Sequence, residues 1–104
     1  MLRVFNKVLK VKVQQLANKN QFVITYAKPN SYRVYSFQSY DSLIAVYDTE
    51  DYTLYINGAM WDISKTTLKH LKMFVNEWTS FRYITKQQFS CELIKNQHIE
   101  IFKE

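Results

Sequence analysis

A chain of 104 residues, 47% hydrophobic and 22% charged, can bury one core but is too short to divide into two, and it is too apolar to be disordered. Residues 1–104 are therefore read as a single domain. A lone glycine excludes glycine-rich phosphate loops, and a lone cysteine, Cys91, excludes an internal disulfide and fits a reducing cytoplasm.

The N-terminal run MLRVFNKVLKVKV interleaves charged and apolar residues, so it contains neither a signal-peptide core nor a membrane span. Within it Leu9, Val11 and Val13 alternate with Lys10, Lys12 and Gln14, the period of a strand with one wet face. Asn18-Lys19-Asn20 reads as a turn, and Gln21 to Ala27 as a β-rich strand. Lys28-Pro29-Asn30-Ser31 turns the chain again, because proline fixes φ and removes a ladder donor. Tyr32 to Phe37 and Ser42 to Tyr47 are the next strands, the second ended by the acidic turn Asp48-Thr49-Glu50-Asp51. Asn57-Gly58 between Tyr52–Ile56 and Ala59–Ile63 has the composition of a type I′ hairpin.

The helical part follows. Ser64 is placed to cap a helix from Lys65, with Ile63 and Leu68 at the positions of a hydrophobic staple. Leu68, Leu71, Phe74, Val75 and Trp78 recur at helical spacing and form one apolar stripe. Thr85 and Gln88 repeat the capping-box pattern, with Ile84 and Phe89 as its staple, for a shorter helix that turns Phe89, Leu93 and Ile94 inward. Ile99 to Phe102 alternates as a short closing strand. The expected fold is α+β: an antiparallel β-meander packed against two C-terminal helices, with that closing strand.

A search for chemistry yields little. His70 and His98 lack a third nitrogen or sulfur ligand at zinc spacing, and the acids at 48–51 lack the glycine and spacing of a calcium loop. Ser64, Thr66, Thr67 and His70 superficially join nucleophile to base, but helix capping explains Ser64 and Thr67. Cys91 reads as a small buried hydrophobe. No catalytic residue, metal site or cofactor is expected, and the chain is read as a non-enzyme.

What remains is surface. Seven basic residues and no acid lie between Met1 and Tyr40, whereas Asp41 to Asp62 holds five acids and no base. Such segregation steers charged partners. Lys10, Lys12, Lys28 and Arg33, interleaved with Tyr26, Tyr32, Tyr35 and Phe37, would suit single-stranded nucleic acid through phosphate attraction and base stacking. Against this, Arg33 shares a strand face with only two aromatics, Tyr35 and Phe37, and no glycine-bearing RNA-recognition signature is present.

Two further segments carry a likeness. Ser39-Tyr40-Asp41-Ser42-Leu43-Ile44-Ala45, followed by Trp61 to Leu71 and Phe74, resembles a family of small bacteriophage proteins of unassigned activity. The shared pattern is S-Y-x-S-x-I-A, then W-x-x-S-x-T-T-x-K-H-x-x-x-F, over the middle third of the chain. The resemblance implies a phage or prophage origin and action in a bacterial cytoplasm. It implies no catalytic residues. Most of the pattern reads as scaffold; Lys69 and His70 lie off or beside the apolar stripe and stand as partner contacts or, for His70, a local tie.

The expected function is that of a phage accessory protein which binds, and inhibits or redirects, a bacterial protein such as a CRISPR or other antiviral complex. Tyr32, Arg33, Tyr35, Tyr47, Tyr52, Tyr55, Lys69 and His70 are the candidate contacts, since aromatics and arginine dominate interface energetics. The alternative is a nucleic-acid-binding module using Lys10, Lys12, Lys28 and Arg33.

Overall fold

The computed structural model describes residues 10–16, 19–82, 86–96 and 98–103, with Lys10 and residues 92–95 described through their backbone alone. Its elements run β1 (Lys10–Gln15), β2 (Gln21–Ala27), β3 (Arg33–Ser39), β4 (Ser42–Asp48), β5 (Thr53–Asn57), α1 (Lys65–Trp78), α2 (Lys86–Lys95) and β6 (Ile99–Phe102). The strands form one six-stranded sheet in the order β1-β2-β3-β4-β5-β6. Neighbours from β1 to β5 are antiparallel, as alternating strands joined by short turns dictate.

The closing strand differs from expectation. β6 pairs parallel to β5, with Leu54 opposite Ile99 and Ile56 opposite Ile101. The helices are accordingly not both C-terminal appendages: they form the crossover between β5 and β6. Parallel neighbours need such a connection, since a tight turn can only reverse the chain.

That crossover also removes the expected Asn57-Gly58 hairpin. The residues directly after Gly58 form turns rather than a strand; Met60 and Trp61 donate their amides to Asn57 O at 3.2 and 3.0 Å. The Asn57 side chain ties two segments together, with Nδ2 donating to Leu43 O at 2.8 Å and Oδ1 accepting from Ala59 N at 3.1 Å. Gly58 does not have a positive φ. It donates its amide to Phe102 O at 2.8 Å, and a Cβ there would stand 2.6 Å from Ile101 Cγ2. Glycine is needed for the close approach of β6, which occupies the place a second hairpin strand would have taken.

The remaining turns follow their residue chemistry. β4 and β5 are joined through Asp48–Tyr52, where Asp48 Oδ1 accepts from Glu50 N and Asp51 Oδ1 from Thr53 N. β3 and β4 are joined by Tyr40-Asp41 alone, with Tyr40 at φ 53. Pairing shifts between Phe37 and Gln38, leaving Ile44 as the additional residue of a bulge. This allows consecutive Ile44 and Ala45 both to be buried.

α1 begins where expected. Ser64 Oγ accepts from Thr67 N at 3.1 Å, closing the cap, while Ile63 stays exposed rather than stapled. Leu71, Phe74 and Val75 are fully buried against Val23, Phe37, Ala45, Leu54 and Ile56. Burial of each such large side chain contributes about 1.5–3 kcal/mol. Phe37, Phe74 and Trp78 form a continuous ring stack, with centroids 5.8 and 6.3 Å apart and interplanar angles of 22° and 11°. Phe89 anchors α2 by stacking on Trp61 at 5.4 Å, and Lys86 lies over the same indole while pairing with Asp62 at 3.4 Å. Ile84 and Thr85, and the side chains of Leu93 and Ile94, lie outside the described residues.

Candidate functional site: a basic trough beside helix α1

Helix α1 packs over β3 and β4, and α2 over β6. On this same face the pairing aligns Lys12, Thr25, Tyr35, Tyr47, Leu54 and Ile99 in one row across the sheet. The β1–β2 end of the row continues beyond the last strand that α1 covers. The result is a concavity of about 380 Å³ lined by Lys12, Gln14, Thr25, Ala27, Arg33, Tyr35 and Trp78. Strand period explains the membership: Lys12 and Gln14 share a face of β1, Thr25 and Ala27 of β2, Arg33 and Tyr35 of β3. Trp78, at the C-terminal turn of α1, supplies the wall.

Among the described residues neither Lys12 nor Arg33 forms an ion pair. The Arg33 guanidinium donates from Nη1 to Ser31 O at 3.2 Å, while its backbone is pinned by Thr49, whose Oγ1 accepts from Arg33 N and donates to Arg33 O, both at 2.9 Å. Lys12 and Arg33 sit two strands and two residues apart, a Cα separation on the order of 12 Å from strand geometry.

The other basic candidates do not join them. Lys28 Nζ donates to Asp48 Oδ2 at 2.9 Å and to Glu50 Oε1 at 2.8 Å, so its charge is consumed within the fold. Burial alone would lower the Lys28 pKa, but the hydrogen bonds to Asp48 and Glu50 outweigh it and raise the pKa above its ordinary value. The same bond, with help from Asn30, holds the Glu50 carboxyl below its ordinary range. The Lys10 side chain lies outside the described residues.

The tyrosine-centred candidates disperse. Tyr32 and Tyr52, 42% and 61% exposed, project from turns at one end of the sheet. Tyr47 is only 4% exposed, bonds through its hydroxyl to Ser80 Oγ at 3.1 Å and meets Phe81 edge-on at 6.2 Å. Tyr55 is half-buried on the opposite sheet face from Tyr35 and Tyr47, and burial, followed by the nearby acids Asp51, Glu100 and Asp48, holds its hydroxyl protonated. Lys69 is exposed on α1, but His70 is 3% exposed and faces inward. His70 Nδ1 lies 2.8 Å from Thr66 O; a carbonyl only accepts, so Nδ1 carries the proton. Tyr47 and His70 are thus packing residues, placed inside because the helix and sheet meet there. Cys91 corrects the other way: it is exposed on α2 rather than buried.

Gln14, Thr25 and Trp78 escaped the sequence reading. Period-2 alternation puts Gln14 beside Lys12, but only the β1–β2–β3 register and the placement of α1 bring Trp78 to them. The two pattern segments converge elsewhere. Ser64 Oγ donates to Thr67 Oγ1 at 3.1 Å, and Thr67 Oγ1 lies 3.4 Å from Ser39 Oγ, so these three residues meet at the α1–sheet junction.

Among the described residues no three His, Cys, Asp or Glu side chains converge to hold a metal ion, and no helix is long and apolar enough to cross a membrane. Comparison with curated proteins and with solved structures finds no match. A family of unknown function, DUF8033, matches residues 11–91, a span that contains every residue of the trough. The chain belongs to the DUF8033 family, a family of unknown function.

Proposed function

We propose that the chain is a non-catalytic nucleic-acid-binding protein whose contact surface is the trough. One observation carries this reading: Lys12 and Arg33, both without an acidic partner among the described residues, flank Tyr35 and Trp78 in a single concavity. Free cations attract phosphates, and the adjacent rings offer apolar faces to bases. The net charge of +5 supports a general attraction to polyanions. A tyrosine-centred surface for inhibiting a host protein has less support, because Tyr47 and His70 are interior and Tyr55 lies on the opposite sheet face from Tyr35. The likeness of the two pattern segments to small bacteriophage proteins supports an accessory role in an infected bacterial cell, in replication, transcription or evasion of defence.

Fluorescence anisotropy of a labelled oligonucleotide, titrated at several salt concentrations, tests the proposal. Binding should weaken as salt rises, and Lys12→Gln and Arg33→Gln should each reduce the logarithmic salt slope by about one. Flat titrations at low salt, or variants with the parent slope, would overturn it.

A further inference from the structure

We infer that the trough is built for an unpaired strand, with Trp78 as the stacking platform for one base. The inference rests on the nucleic-acid reading above and narrows it.

A stack of aromatic rings lies beneath the site. Phe37 lies on the sheet, Phe74 stacks on it, and Trp78 stacks on Phe74 with planes within 11° of parallel. Phe37 and Phe74 are fully buried, so the lower part of the column is immobilised by the core. Trp78 is half-buried and lines the trough, which makes it the column's accessible end. An indole held this way loses little conformational freedom when a base stacks on it. A base added there would continue a series of flat rings already in place.

Access favours a single strand. The rings stand in a concavity between the β1–β2 surface and the end of α1, and a paired base cannot present its face to them while stacked within a duplex. An unpaired base can enter. Lys12 and Arg33, on the order of 12 Å apart across the strands, are then placed to meet phosphates on either side of it. A cavity of about 380 Å³ accommodates one such residue rather than a length of helix. Because every base has a π-face, stacking of this kind discriminates weakly among sequences.

The experiment compares a labelled single strand of about 16 nucleotides with its duplex at equal salt, for the full chain and for Trp78→Phe and Trp78→Leu. The single strand should bind at least tenfold more tightly than the duplex. Trp78→Leu should lose roughly tenfold of single-strand affinity with little change for duplex, and Trp78→Phe, which keeps a ring, should retain most of it. Binding should also quench tryptophan emission in the parent and leave Trp78→Phe, whose indole is Trp61, unquenched. This second readout decides the matter if the leucine variant does not fold. Duplex binding equal to single-strand binding, undiminished affinity in Trp78→Leu, or an unchanged emission on binding would overturn the inference while leaving nucleic-acid binding intact. Displacement of the oligonucleotide by polyglutamate at equal charge would overturn it in favour of an acidic protein partner. Absence of binding to either nucleic acid would overturn the underlying reading as well.

Discussion

Gln21 opens β2 deep inside the molecule, and its substitution tests the packing with a sign opposite to most core mutations. The residue is 0% exposed, and its Nε2 and Oε1 have no hydrogen-bond partner among the described residues. Its cross-strand neighbour is Ser39, whose hydroxyl lies 3.4 Å from that of Thr67. Leaving a buried polar group unsatisfied costs about 1–3 kcal/mol, whereas volume-conserving swaps in a core usually cost less than about 1.5 kcal/mol. Gln21→Met keeps the length of the side chain and removes both polar ends. The balance is a gain of about 1 kcal/mol, equivalent to a rise in Tm of about 4–8 °C for a domain near this size. Urea unfolding followed by far-ultraviolet circular dichroism would show it as a higher midpoint at unchanged slope. A lower midpoint would refute the reasoning, because it would mean that the amide is satisfied in solution by an internal water shared with Ser39 or Thr67.

Two further outcomes follow from the fold. Gly58→Ala forces a Cβ to within 2.6 Å of Ile101 Cγ2 and should cost about 1–3 kcal/mol; Ile101→Ala, at a position already 52% exposed, should recover most of that loss in the double variant, so that a double-mutant cycle in urea shows strong non-additivity. The Lys28–Glu50 pair predicts a pH signature. Glu50 titrates below its ordinary value of 4.5 in the folded protein, so its contribution is complete above that pH and disappears as pH falls through the lowered folded value. Thermal unfolding across pH should therefore show the gap between the parent and Glu50→Gln closing under acid conditions. Lys28, raised above its ordinary 10.5, should lose its contribution only as pH climbs beyond that value.

Local chemistry was legible in the sequence wherever neighbours along the chain decide the structure. β2 spans Gln21–Ala27 as its composition requires, and α1 starts at Lys65 because Ser64 supplies the missing acceptor. The failures are nonlocal. Asn57-Gly58 has hairpin chemistry, but β6 arrives from the far side of both helices and takes the neighbouring position, which no local signal announces. Lys28 reads as a free cation until the turns at either end of β3 and β4 bring Asp48 and Glu50 against it. Half of the trough was visible as the alternation that puts Lys12 and Arg33 on strand faces. The rest was hidden because Trp78 does two things at once: as part of the helical apolar stripe it continues the core, and as the last residue of α1 it ends beside the uncovered edge of the sheet.

The parallel pairing of β5 with β6 has a consequence for the order in which the molecule assembles. Strands β1 to β5 meet through short turns and demand little loop-closure entropy, whereas β6 pairs only after the chain has traversed both helices. The four-residue β6 is thus a late element in assembly, held to the sheet by bonds such as Leu54 N to His98 O and Gly58 N to Phe102 O. Its backbone amides should exchange with solvent ahead of those in β3 and β4. Because β6 lies at the opposite margin of the sheet from β1, none of the residues that line the trough belongs to β6 or pairs with it, so Lys12, Arg33, Tyr35 and Trp78 can take their places before the last strand docks.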